Sequence, residues 1–255
     1  MGLKDYRFTI GYTYYDEPDL LLKQLELWKN YPEVEIVLVD DASPNFPAHE
    51  IVKEFNSSHS AADLRLFRVD EDLGFNSHGC RNLIAEQAYS DYILFADIDC
   101  MFSPESIAFI KRVKFDPNIL YRFGMFSLAD YKFYEFPGAV NIFLTSKRAF
   151  WEAGGYDESF TGYHHGDREF LQRLAVITEE KRITESLAMT IVRGGRQIII
   201  DKSADKISYD NKNMIIYTPV KEKTYAEMRG TVKTKINFSY TQVLSIQLCL
   251  DSNNT

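Results

Sequence analysis

Cysteine, surplus positive charge and long apolar runs are all scarce or missing in this 255-residue chain. Its three cysteines, Cys80, Cys100 and Cys249, are widely spaced and odd in number, which argues against a disulfide scaffold and suits a reducing compartment. The formal net charge of −8 gives no strong signal for a partner that is nucleic acid or an anionic membrane.

Targeting segments are missing as well. Residues 1–6 lack the apolar core of a signal peptide, and Gly2 is not followed by Ser or Thr at the myristoylation spacing. No apolar run approaches the length of a transmembrane span. We therefore expect a cytoplasmic protein.

What is present is the composition of an ordinary globular protein, 45% hydrophobic and 26% charged, without an internal repeat. Strand-like and helix-like segments alternate through the first half. Strands are predicted at 7–15, 35–41, 64–69 and 92–96, and helices after Pro18 and at 48–55 and 80–89. This alternation predicts the α/β class, with a mainly parallel twisted sheet flanked by helices.

The segment Tyr92–Cys100 changes character in the middle. An apolar strand gives way to Asp97 and Asp99, and on an extended chain that spacing directs both carboxylates to one face. The carboxyl edge of a parallel sheet is where open α/β folds bind ligands, and two carboxylates there suit Mg²⁺ or Mn²⁺ carrying a diphosphate. The alternative is a strand end whose aspartates only solvate the turn before Ser103.

The second half is less regular. A helix is predicted from Pro104 to Lys114, a strand at 139–145, and a short helix at 147–152 that Gly154 and Gly155 end. Asp167 lies near the N-terminus of a further helix, where an Asp is most often a cap, so capping and chemistry both stay open for it. In residues 121–136 and beyond residue 183, the apolar residues do not recur at a regular helical or strand spacing.

Five blocks of motif residues follow one another along the chain. They are Thr13–Pro18, Val39–Ser43, Gly74–Asn76 with Arg81 and Asn82, Asp97–Asp99, and Gly154–Asp157 with Gly162 and Asp167. In this order and spacing they resemble the A-type-fold glycosyltransferases, and most of all glycosyltransferase family 2. The last block is also similar to galactosyl- and N-acetylgalactosaminyltransferases. The resemblance covers about residues 7–175.

The resemblance implies a metal-dependent glycosyltransferase that uses Mn²⁺ or Mg²⁺. It would move a sugar from a nucleotide-sugar donor, with UDP favoured, to a hydroxyl of a glycan or other acceptor, with inversion. Residues 1–200 would form one domain, with a Rossmann-like nucleotide-sugar-binding half at 1–100 and an acceptor-binding half at 101–200. Residues 201–255 would be a C-terminal extension packed on it.

The same resemblance assigns roles to individual residues. Nucleotide binding falls on Thr13, Tyr15, Asp41, Asn76, Arg81 and Asp97, metal binding on Asp97 and Asp99, and the general base on Asp167. Tyr163, His164 and His165 would line the acceptor site. Ordinary structural roles stay open for three of these residues: Tyr15 as a core aromatic, Asp41 as a cap before Ser43, and Arg81 as a solvated helix residue.

The chain departs from the family pattern in three places. Gly166 stands where relatives often have Glu, so a carboxylate that would contact the acceptor is missing. Tyr163 and His164 stand where relatives often have a Trp-Gly pair, which suggests an altered entrance to the acceptor-binding site. No histidine follows Asp167 to supply a third metal ligand, so we expect Asp99, the diphosphate and water to hold the metal, with His164 or His165 as lesser candidates.

Two other classes of function stay open. A nucleotidyltransferase also places Asp-x-Asp beside a diphosphate, but it usually brings a loop rich in glycine and lysine where this chain has the aromatic segment 11–15. A catalytically inactive nucleotide-sugar-binding module is the other alternative, supported only by the loss of Glu before Asp167.

Overall fold

The computed structural model describes residues 6–58, 63–73, 76–127, 132–134, 140–158, 166–190, 200–201, 206–207, 236 and 238–246. The strands in this part of the chain are β1 (Phe8–Tyr14), β2 (Val34–Asp40), β3 (Leu64–Val69), β4 (Tyr92–Asp97), β5 (Cys100–Phe102), β6 (Ile119–Ser127), β7 (Lys132–Tyr134), β8 (Phe143–Ser146), β9 (Glu179–Thr190), β10 (Ile200–Asp201), β11 (Lys206–Ile207) and β12 (Tyr240–Ile246). The helices are α1 (Pro18–Trp28), α2 (Ala48–Ser58), α3 (Ser77–Gln87), α4 (Pro104–Arg112), α5 (Lys147–Glu152) and α6 (Gly166–Ile177).

One large sheet organises the molecule, in the order β12-β3-β2-β1-β4-β8-β6-β9-β5 with β7 beside β6. Strands β3, β2, β1 and β4 are mutually parallel, and β8 and β12 run antiparallel to their neighbours β4 and β3. Strands β10 and β11 form a separate pair. The predicted α/β class, with its mainly parallel sheet between helices, is confirmed.

Helices cover both faces of the sheet. On one face α1, α2 and α4 pack through side chains such as Leu25, Val52 and Ile107, and on the other α3, α5 and α6 pack through Leu83 and Phe150 among others. Every residue of β2 is buried, as the apolar run at 36–39 predicts for a strand covered on both faces. Helices α3 and α6 therefore share one face of the sheet.

Helix α3 lies very close to β1. A Cβ added at Gly11 would stand 2.4 Å from Cγ2 of Ile84, so only glycine lets the helix approach to this distance. This contact fixes α3 against the middle of β1. No helix in the described part of the chain is long and apolar enough to cross a bilayer.

Element boundaries differ most in the second half. Strands β6 and β9 pair in parallel along most of their length, although neither was predicted as a strand. Strand β8 begins at Phe143, four residues after its predicted start, and α3 begins at Ser77 instead of Cys80. Strand β12 pairs with β3, so residues 240–246 complete one edge of the main sheet. The division of the chain at residue 200 stays a prediction.

Candidate functional site

The register of the parallel strands brings the predicted nucleotide-binding residues to one edge of the sheet. Thr13 near the end of β1 pairs with Val39 of β2 on one side and with Asp97 of β4 on the other. The backbone N–H of Asp41 donates to the carbonyl of Tyr14 at 2.9 Å. Thr13, Asp41 and Asp97 therefore all lie at the carboxyl edge, where open α/β sheets bind their ligands.

The adjacent carboxylates at the end of β2 have different surroundings. Asp40 is fully buried and accepts hydrogen bonds from the backbone of Ser43 and Ala48, at 2.8 and 2.9 Å, and from Arg68 at 2.8 Å. These bonds fold the loop that leads into α2. The capping role that stayed open for Asp41 therefore belongs to its neighbour Asp40.

Asp41 is buried but only partly hydrogen-bonded. Its Oδ2 accepts from the backbone N–H of Asn76 at 3.0 Å, but its Oδ1 is buried without a hydrogen-bond partner among the described residues. Burial raises the pKa of Asp41 from 3.8 to about 7, and the Asn76 N–H and a weak hydrogen bond from the Cys80 thiol oppose this in part. The Asn76 side-chain Nδ2 is likewise buried and unpartnered within the described chain. One acceptor and one donor are thus unpaired in neighbouring residues.

The loop after β1 is held by a residue that the sequence analysis missed. Asp16 has a positive φ of 49°, unusual for a residue with a side chain. Its carboxylate accepts from the backbone of Asn45 and Phe46 at 3.1 and 2.8 Å. Nearby Tyr15 is 40% exposed and its hydroxyl donates to Asp72 at 3.2 Å, so Tyr15 is not a core aromatic.

Arg81 of α3 joins two parts of the candidate site. It is 4% exposed, its Nη2 donates to Asp97 Oδ1 at 2.7 Å, and its Nη1 donates to Asp167 Oδ1. Burial alone would lower the pKa of Arg81, but the charges of Asp167 and Asp97 outweigh it and the pKa is raised. Arg81 is therefore not the solvated helix residue that the sequence left open.

Asp167 lies in the first turn of α6 and points away from its own helix. Besides Arg81, it accepts a hydrogen bond at 3.0 Å from the hydroxyl of Tyr156, a residue 0% exposed. Among the described hydrogen bonds, none joins Asp167 to the backbone of α6, so these contacts do not support a capping role. Glu169, the other carboxylate of this turn, is bound at both oxygens by Arg173 and serves the packing of α6.

Asp97 and Asp99 do not share one extended strand, so that premise of the sequence analysis is wrong. Strand β4 ends at Asp97, and Asp99 belongs to the turn before β5. Both oxygens of Asp97 are engaged, one by Arg81 and the other by the side-chain amide of Asn141. Asp99 accepts from the Cys100 thiol at 3.5 Å, a weak donor.

The donor set at this edge fits a hard cation only in part. Within the described residues, no group of three or more His, Cys, Asp or Glu side chains is arranged to hold a metal. Asp99 supplies a carboxylate, which suits Mg²⁺ or Mn²⁺ when phosphate and water complete the shell, whereas each Asp97 oxygen would have to be shared with Arg81 or Asn141. The residues present therefore fit a metal that arrives with a diphosphate. The predicted acceptor residues Tyr163, His164 and His165 lie outside the described residues.

Four further residues of the site, besides Asp16, were not predicted. Tyr156 and Asn82 stand inside the motif blocks, and they bind each other through the Asn82 side chain and the Tyr156 backbone at 2.8 and 2.9 Å. Their place in the blocks was the available signal. Asn141 and His78 carry no such signal, because only the pairing of β8 with β4 and the packing of α3 bring them to the site.

A cavity of about 500 Å³ opens at the opposite, amino edge of the sheet. Its walls include Tyr6 and Arg7 at the start of β1, and Lys111 and Phe115 near the end of α4. None of the residues described above contributes to it, so the cluster around Arg81, not this cavity, is the candidate active site.

Comparisons with known proteins bear on the family and the fold of the chain. The family model described as Glycosyl transferase family 2 matches residues 9–166, more than half of the chain. No curated protein matches by sequence. The crystal structure of GalNAc-T7 with UDP, GalNAc and Mn²⁺ is similar at a TM-score of 0.58 and 15% identity, with 75% of this chain and 45% of that chain covered.

A second similar structure is that of TarS residues 1–349 from S. aureus. Its TM-score is 0.57 at 15% identity, and 72% of this chain and 60% of that chain are covered. At this identity the likeness shows the fold alone. The chain spans less than two thirds of the length of either structure.

Proposed function

The chain belongs to glycosyl transferase family 2, and from this premise we propose that it transfers a sugar from a nucleotide-sugar donor to an acceptor hydroxyl. One observation carries the proposal. The buried guanidinium of Arg81 joins Asp97, at the sheet edge where the donor would bind, to Asp167, the candidate base. Two residues 70 positions apart are thereby held close together, and proximity of the donor side and the acceptor side is what a direct displacement needs.

The unpaired groups beside α3 support a pyrimidine nucleotide as donor. Asp41 Oδ1 needs a hydrogen-bond donor and Asn76 Nδ2 needs an acceptor, and uracil presents an N–H beside a carbonyl. Thr13 and Tyr15 would flank the base. UDP-sugars are therefore the first donors to test, and one structure with this fold was solved with UDP and Mn²⁺.

Asp99, assisted by Asp97, would hold Mn²⁺ or Mg²⁺ together with the diphosphate. When bound, the ion would neutralise negative charge on the departing diphosphate. The chain's own contribution lies on the acceptor side. Asp167 would take the proton of the acceptor hydroxyl while that oxygen bonds to the anomeric carbon and the bond to the diphosphate breaks. A single displacement of this kind inverts the anomeric centre.

Arg81 and Tyr156 have a positioning role in this scheme. Both hold the same oxygen, Oδ1 of Asp167, which leaves Oδ2 to face the acceptor. Because proton removal depends on the placement of the base, Asp167 would contribute chiefly through its position. The acceptor would be a glycan or another molecule with a free hydroxyl.

The test replaces Asp167 by asparagine. Asp167→Asn keeps size and most hydrogen bonding, so we expect unchanged binding of UDP with Mn²⁺ but turnover lowered by about a hundredfold. Titration calorimetry measures binding, and UDP release from a panel of UDP-sugars measures turnover with water or added glycans as acceptor. Asp19→Asn, the same chemical change at an exposed position of α1, is the matched control.

The outcomes separate the candidate functions. Parent-like turnover in Asp167→Asn would refute this base, and Asp157 would become the next carboxylate to test. No binding of any nucleotide-sugar by the parent would refute the enzyme assignment as a whole. Binding without any turnover by the parent would instead favour an inactive nucleotide-sugar-binding module.

A further inference from the structure

A buried histidine lies behind the candidate base and takes no part in the scheme above. His78, in the first turn of α3, is 3% exposed and stacks on Tyr156 with ring centroids 5.3 Å apart at 26°. It also abuts Gly166, the first residue of α6. A Cβ added at Gly166 would lie 2.3 Å from His78 Nε2 and 2.4 Å from Cε1. The imidazole therefore fills the space that any side chain at position 166 would need.

Both neighbours of His78 act directly on Asp167. Tyr156 donates its hydroxyl hydrogen to Asp167 Oδ1 at 3.0 Å, and Gly166 is the residue bonded to Asp167 in the chain. The Tyr156 backbone is itself fixed by Asn82, one turn along α3 from His78. A shift of the imidazole would therefore move a hydrogen-bond donor to Asp167 and the first turn of α6 together.

We propose that His78 is a positioning residue that sets the place of the Asp167 carboxylate through Tyr156 and Gly166. This inference rests on the proposed function, because it assumes that Asp167 removes the proton. It explains a departure from the family pattern. Glycine at position 166 is the steric counterpart of His78, and the two residues form one unit of the acceptor side.

The arrangement predicts that substitutions at positions 78 and 166 depend on each other. In Gly166→Ala the new methyl group must displace the imidazole or the first turn of α6. A displacement of about 1 Å at a base can cost about a hundredfold in rate, so a loss of at least about tenfold in kcat is expected. In the His78→Ala background the space is open, and adding Gly166→Ala should cost less than about twofold.

The experiment measures a double-mutant cycle of the two single variants, the double variant and the parent. The readouts are kcat and KM for UDP release from a UDP-sugar with Mn²⁺, the Kd for UDP, and the melting temperature. Amide hydrogen exchange in the first turn of α6 reports on the turn that carries Asp167, and it does so independently of activity. Val176→Ala, on the same helix at a position 62% exposed, is the control.

A positioning role predicts a fall in kcat with the UDP Kd close to that of the parent, and faster exchange in the first turn of α6. Equal effects of Gly166→Ala in both backgrounds, or parent-like kcat in Gly166→Ala, would overturn the inference. If Gly166→Ala does not fold, His78→Ala alone decides: a lowered kcat at unchanged UDP affinity supports the inference, and an unchanged kcat refutes it.

Asp167→Asn in the same assay separates this inference from the proposed function. If Asp167→Asn has lost turnover while the cycle shows no coupling, the proposed function stands and only the role of His78 is wrong. If Asp167→Asn retains turnover, Asp167 is not the base and both fall.

Discussion

Asp41 should make the protein less stable as pH rises, which is unusual for an aspartate. Its pKa is raised by burial from 3.8 to about 7, so the folded protein keeps the Asp41 proton over a range in which the unfolded chain has released it. The folded state binds more protons than the unfolded state between these two values. Stability contributed by the protonated carboxyl is therefore complete below about pH 4 and is lost progressively up to about pH 7.

The magnitude follows from the same two values. At about 1.4 kcal/mol for each pH unit between 3.8 and 7, the free energy of unfolding should fall by up to about 4 kcal/mol. This is an upper figure, because a ligand-free site relaxes and admits water. It remains a large share of the 5–15 kcal/mol or so that is usual for a globular domain.

The assay is urea unfolding of the parent and of Asp41→Asn between about pH 4 and about pH 8. The amide has no charge to desolvate, so the variant should have the flatter profile and should be the more stable protein at about pH 8. The difference between the two proteins cancels the other titrating groups. Asp19→Asn, at an exposed position of α1, is the surface control and should follow the parent.

Above about pH 7, where Asp41 is ionised, the same variant should lose affinity for UDP. An amide is a weaker partner than a carboxylate for the base N–H, and the loss should be about 1.5–3 kcal/mol if Oδ1 takes that hydrogen bond. Parallel pH profiles of parent and Asp41→Asn would show that Asp41 is solvated in the folded state. In that case the argument from its burial and its unpaired oxygen would fail.

Two further predictions concern the other charges of the site. Asp99→Ala should abolish the Mn²⁺ dependence of UDP binding in calorimetry at an unchanged melting temperature, and parent-like Mn²⁺ dependence would place the metal elsewhere. Arg81→Lys keeps the charge, but an ammonium group lacks the planar fork that contacts Asp97 and Asp167 together. The free energy of unfolding in urea should therefore fall by about 1.5–3 kcal/mol, and UDP release should slow. Equal stability and turnover in Arg81→Lys would show that one of the two contacts is dispensable.

The first half of the fold could be predicted because its signals are local. Apolar strands, leucines at helical spacing and the turn residues between them lie within single short windows of sequence. Strands β6 and β9 could not be predicted in this way, since they are stabilised by pairing with each other across about 60 residues of chain. Residues 179–182 are all charged, so nothing in β9 before Ile183 reads as a buried strand.

The candidate site divides in the same manner. Motif spacing placed Asp41 and Asp97 at strand ends and Asp167 at a helix start, where the structure has them, while their roles stay predictions. Spacing could not show that the side chains of Asn141 and His78 complete the surroundings of Asp97 and Asp167. Those contacts arise from strand pairing and from the close approach of α3 to β1, and a sequence window contains neither.

The carboxyl edge of β1 and β2 also concentrates features that cost free energy. Asp16 and Ala42 have φ values of 49° and 58°, a backbone conformation that costs about 1 kcal/mol or more for residues with side chains. Asp41 and Asn76 each leave a buried polar atom unpaired within the described chain. The hydrogen bonds of the Asp16 carboxylate close the loop after β2 and offset part of this free-energy cost. The cost of one unpaired acceptor and one unpaired donor at the carboxyl edge of the sheet remains. A ligand that supplies their complements would recover that free energy on binding, so the least stable part of the edge is where donor recognition should be strongest.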